Sequence, residues 1–94
     1  MRILGRNYVL DGSQEAQTLD ALGKFNERKQ TIQVASDQLE QGKISTVLHE
    51  IIEALNFHLE LRLDHNAITC LESGLFQVLT DNGVDLAPLV EEIA

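Results

Sequence analysis

The run His49-Glu50-Ile51-Ile52-Glu53 holds three side chains of the types that bind metal ions and move protons. On a helix, His49 and Glu53 lie one above the other, and Glu50 sits about 100° round the axis from His49. A histidine and a carboxylate at that spacing both reach one ion. A glutamate beside them is placed to take a proton from a water on that ion. A catalytic site of this kind takes three protein ligands and keeps one position open, so the third ligand has to come from elsewhere in the chain.

The helix that must carry the run is written into its apolar spacing. Ile44, Val47, Leu48, Ile51, Leu55 and Leu59 recur at three- and four-residue steps, and Ile52 and Ala54 widen the stripe. This predicts a central, largely covered helix from Ile44 to Glu60. Ser36, Asp37 or Ser45 is the expected cap, with Gly42 interrupting or delaying the start. Leu61-Arg62-Leu63 closes the segment, and Asp64 caps a second helix through about Thr80. Ile68, Leu71, Leu75, Val78 and Leu79 form its apolar stripe and read as core, and Asp81-Asn82-Gly83 stops it. The short connection predicts an antiparallel pair.

Folding the two helices about a pivot near Leu63 sets Glu53 opposite Ser73 and its neighbour Glu72, the carboxylate in the middle of the second helix. Glu72 is therefore the expected third ligand, with His49 and Glu53, and Glu50 the expected general base. The same construction puts His65 opposite Leu61, roughly 12 Å along the axis from Glu53. It puts His58 on the far side of the first helix from His49, and both histidines are left outside the site. Cys70, inside the apolar pattern of the second helix, is expected to be an inert core thiol.

Upstream, Met1 to Leu10 predicts a strand with a bulge or kink at Gly5, ended by Asp11-Gly12-Ser13. Gln14 to Asp20 is polar and reads as loop or a poorly formed turn. Ile32 and Val34 alternate with polar neighbours between Gln30 and Ala35, as in a half-buried strand, and the turn Asn26 to Lys29 joins it in a hairpin to Leu22–Phe25. The tail, Val84 to Ala94, adds a short helix from Asp85 with Pro88 in its first turn. The expectation is one α+β domain over residues 1–94. In it a small N-terminal antiparallel sheet packs on two antiparallel helices, with a short C-terminal helix.

Fifteen acidic against seven basic residues give a net charge of −8, which repels phosphate backbones and anionic lipid. Nucleic-acid and membrane partners are thereby disfavoured, and a cation or a peptide or protein partner suits the chain better. The single cysteine forms no internal disulfide, and no apolar run reaches signal-peptide or transmembrane length, so a cytoplasmic location is expected. With four aromatic residues and no tryptophan, the core is expected to be aliphatic.

The order of a small sheet, a helix bearing H-E-x-x-[H/E], a short connection and a second helix with a glutamate resembles the minimal gluzincin-type metallopeptidases. It is more closely similar to short phage and prophage proteins of zincin-like type. Those carry an L-L-H-E-I-I-H/E-A helix and a later G-L-[FY]-Q-V-L-x-D-N stretch. The matching stretches are Val47-Leu48-His49-Glu50-Ile51-Ile52-Glu53-Ala54 and Gly74-Leu75-Phe76-Gln77-Val78-Leu79-Thr80-Asp81-Asn82. Arg2-Ile3-Leu4-Gly5 and Lys29-Gln30-Thr31-Ile32 fit the same pattern loosely, so the likeness extends over nearly the whole chain. The resemblance implies a zincin-like fold, zinc or another divalent metal, His49 as first ligand, Glu50 as catalytic glutamate and Glu72 as third ligand. The second ligand falls on Glu53, where the family usually has histidine, which makes the set harder and more anionic than is usual for zinc.

Two expectations of different class follow. One is a metal-dependent hydrolase, peptidase-like, with an H-E-x-x-E site that is either active or a degenerate descendant. The other is a non-catalytic phage-type interaction protein on the same scaffold, binding a protein partner or forming a homodimer. On the plainest reading His49 is a hydrogen-bonded residue at the core margin, and Glu50 and Glu53 are solvated carboxylates.

Overall fold

The computed structural model describes residues 1–93; Ala94, the last residue of the expected domain and tail helix, lies outside them. The order of elements is β1 (Arg2–Ile3), β2 (Arg6–Asn7), β3 (Val9–Asp11), α1 (Ala16–Leu19), β4 (Gly23–Asn26), β5 (Thr31–Val34), α2 (Glu40–Leu59), α3 (His65–Asp81) and a 3₁₀ turn (Ala87–Val90). The class is α+β, with the small sheet N-terminal to the two main helices.

The β4–β5 hairpin is antiparallel, and the alternation in β5 turns Ile32 and Val34 fully into the core. The first ten residues do not form one strand. Leu4 (φ 51°) and Gly5 (φ 78°) both adopt positive φ, the conformation of a two-residue hairpin turn, so β1 folds back on β2. The chain then continues as β3, which joins β5 in parallel and gives the strand order β3-β5-β4. Glycine permits that turn, and a strand reading of the segment mistakes the turn for a bulge. Within the polar stretch after β3, Ala16–Leu19 forms a single helical turn. It is anchored by the bond from the Ala16 N–H to Asp37 Oδ1 (2.8 Å) and by burial of Leu19.

α2 begins at Glu40 with Leu39 as an N-cap that has no side-chain bond, and Gly42 lies inside the helix rather than breaking it. Thr46 Oγ1 lies 2.9 Å from the Gly42 carbonyl and 3.0 Å from Gln38 Oε1, which ties that first turn to the segment before it. Val47 and Ala54 meet Ile3, Tyr8, Leu10, Ile32 and Val34 in one core. Asp64 caps α3 as its sequence predicts, accepting from the Ala67 N–H at 2.7 Å. α3 contributes only Ile68 to the buried set. Leu71, Leu75 and Val78, expected as core, are 45%, 42% and 59% exposed, and Cys70 is also exposed. The C-terminal 3₁₀ turn, in place of the short α-helix, packs on α2 and adds Leu89 and Val90 to the core margin.

Candidate functional site

The path of the connection between α2 and α3 decides the site. Glu60 (φ 52°) closes α2 in a left-handed conformation, and Arg62 (φ 61°) adopts another. The side chain of Asn56 accepts from the Leu63 N–H (2.8 Å) and donates to the Leu63 carbonyl (3.3 Å), so the connection runs back along α2. Six residues of chain from Leu59 to His65 span up to roughly 20 Å, enough to cover the roughly 15 Å of helix from Leu59 back to His49. The two imidazole rings consequently stand side by side, with centroids 5.5 Å apart.

This corrects the simple pivot. Glu72 meets His49 rather than Glu53, with Glu72 Oε1 3.2 Å from His49 Nδ1. The Ser45 hydroxyl donates to the other oxygen, Oε2. Ser45 and His49 are successive residues on one face of α2, and together they clamp the carboxylate from one side. His49 and Glu72 remain partly accessible, their side chains 18% and 16% exposed.

His49, Glu72, Ser45 and Thr46 line a cavity of about 420 Å³, with Glu50 and His65 also in its wall. Glu50 is buried, 6% exposed, on the side of α2 that faces the start of β4. A Cβ on Gly23 would stand 2.5 Å from Thr46 Cγ2 and 3.2 Å from Glu50 Oε2, so the absence of a side chain there is what lets strand and helix approach. Burial pushes the Glu50 carboxyl up to about 7, and the charge of Glu53 adds to that rise. A carboxyl in that range exchanges a proton near neutral pH, as a general base must.

Of the sequence-derived set, His49, Glu50 and Glu72 come together in this cavity, whereas Glu53 is half-buried and does not line it. His65, set aside at the sequence level, does line it. The usable signal was the non-helical run from Glu60 to Asp64, long enough to return α3 to His49 instead of starting it opposite Leu61. His58 lies away from the site as expected, its Nε2 2.6 Å from the Tyr8 hydroxyl. As the side chains stand, no three His, Cys, Asp or Glu groups among the described residues converge to hold a metal ion.

The 3.2 Å contact of His49 with Glu72 is a hydrogen bond, and the His65 ring stands 5.5 Å from the His49 ring, tilted to it by 59°. The chain matches no protein-family profile, no curated protein and no solved structure. None of the helices among the described residues is long and apolar enough to cross a membrane.

Proposed function

We propose that the cavity between α2, α3 and the start of β4 is the site of a metal-dependent hydrolase acting on peptide-type amides. The observation that carries this reading is the His49–Glu72 pair at 3.2 Å, in the same cavity as the buried carboxyl of Glu50. His49 and Glu72 would hold a divalent ion, zinc by the chemistry of the donors, which would supply Lewis acidity to the scissile carbonyl. Glu50 accepts the proton of the attacking water and returns it to the leaving nitrogen. The Ser45 hydroxyl on the second oxygen of Glu72 fixes the orientation of that carboxylate. β4 is an edge strand whose first residue, Gly23, lines the cavity, so an extended peptide paired along that edge would run past Glu50.

The test is hydrolysis of a mixed-sequence quenched-fluorophore peptide library by the zinc-loaded chain and its Glu50→Gln variant. Loss of the general base is expected to lower turnover by on the order of 10²–10⁴-fold while bound metal is retained. Turnover unchanged in the variant would remove Glu50 from the mechanism.

A second reading, of an interaction protein, is favoured by the exposed stripe Leu71, Leu75 and Val78 on α3. Of the chain's charged side chains only Glu72 and Asp81 lie in α3, so a second copy docking there avoids most of the repulsion between two chains of charge −8. Sedimentation equilibrium with a Leu75→Glu variant tests it. A concentration-dependent dimer abolished by the substitution supports this reading, and a monomer at all concentrations rejects it.

A further inference from the structure

We infer that His65 is the third protein donor of the metal site and that Glu53, the residue assigned by helical spacing and by the resemblance, is not. The inference rests on the metal-site reading above and goes beyond it by changing the ligand set. Three placements carry it. The His65 ring lies 5.5 Å from the His49 ring, near enough for both imidazoles to reach one ion. His65 lines the same cavity as His49 and Glu72, while Glu53 does not. His65 is also the first residue of α3, exposed to solvent, and reaches this place because the Asn56 side chain holds Leu63 by two hydrogen bonds. An exposed first-turn side chain turns about its χ angles without disturbing packing, so its ring nitrogen can close onto the His49–Glu72 pair.

The donor chemistry points the same way. One histidine with two carboxylates is a hard, anionic set, whereas two histidines with one glutamate is one of the ligand sets of catalytic zinc sites. Glu53, one turn beyond His49 on α2, lies outside the cavity.

Cobalt(II) and zinc titrations of the full chain separate the alternatives, read by visible absorption and by calorimetric stoichiometry, with circular dichroism as the check on folding. The wild type is expected to bind one ion with the absorption of a tetrahedral cobalt site. Removing an outer partner of a metal ligand costs roughly 10–100-fold in affinity, so loss of a ligand itself in His65→Ala should cost at least about 100-fold. His65→Asn should behave likewise, and Glu53→Gln should leave affinity and spectrum unchanged. Affinity lost in Glu53→Gln and kept in both folded His65 variants would overturn this inference and leave the metal reading standing. A wild type that binds neither ion would instead remove the metal reading itself.

Discussion

α2 and α3 carry apolar residues at the same helical spacing, yet they meet opposite fates. α2 buries Ile44, Val47, Leu48, Ile52 and Ala54 together with the polar Thr46 and Glu50, whereas α3 buries Ile68 alone. The difference lies in what packs on each helix. α2 is covered by β1, β4, β5, α3 and the C-terminal 3₁₀ turn, and the outer flank of α3 is covered by none of them. An apolar stripe therefore marks a face that gains by being covered, not a face that is covered. The inner face of α3 buries Ile68 against α2 and brings Glu72 and His65 to His49.

The comparison breaks most easily at the core face of α2. Ile52→Ala is expected to lower the unfolding free energy by about 2–4 kcal/mol in urea titrations, because the surroundings of a buried position relax only partly around a cavity. A loss no larger than that of the α3 variant below would mean that the two helices are equally covered.

The site face of α2 sharpens the contrast, since it buries a carboxyl rather than an aliphatic group. In the metal-free protein the folded value for Glu50, about 7, lies above the ordinary 4.5. Between these two values the folded state holds more protons than the unfolded state, so stability falls as pH rises from about 4.5 to about 7 and levels off beyond. The loss is roughly 3 kcal/mol. Glu50→Gln should be the more stable protein above pH 7, with the difference shrinking toward pH 4.5. Parallel stability profiles for the two proteins would contradict the burial of this charge.

Next in size is the approach of β4 to α2. Gly23→Ala places a methyl group 2.5 Å from Thr46 Cγ2 and is expected to cost about 1–3 kcal/mol through overpacking, read as a lowered urea midpoint. An unchanged midpoint would show that strand and helix separate freely at the cavity. The smallest effect belongs to α3: Leu75→Ala, on the exposed flank, should cost under about 1 kcal/mol at protein concentrations where the chain is monomeric. A larger cost there would mean that the flank is covered in solution.

Several features were legible from sequence because they are local. The alternation around Ile32 and Val34 defined β5, the 3.6-residue period defined α2, and Asp64 announced the start of α3. The adjacency of His49 and Glu50 on one helix follows from those residues alone, as does the placement of His58 on the opposite side. The turn at Leu4-Gly5 was less legible, since a leucine with positive φ is not signalled by its type.

What the sequence by itself determined is which side chains share a face: His49 with Glu53 and Ser45, and Leu71 with Leu75 and Val78. What only the tertiary structure decided is which faces meet. Helical periodicity fixes angles about one axis and carries no information on the offset between two axes. That offset was set by the left-handed residues Glu60 and Arg62 and by the hold of Asn56 on Leu63, which slide the start of α3 back to His49. The same offset exchanged Glu53 for His65 at the candidate site and left the outer stripe of α3 uncovered.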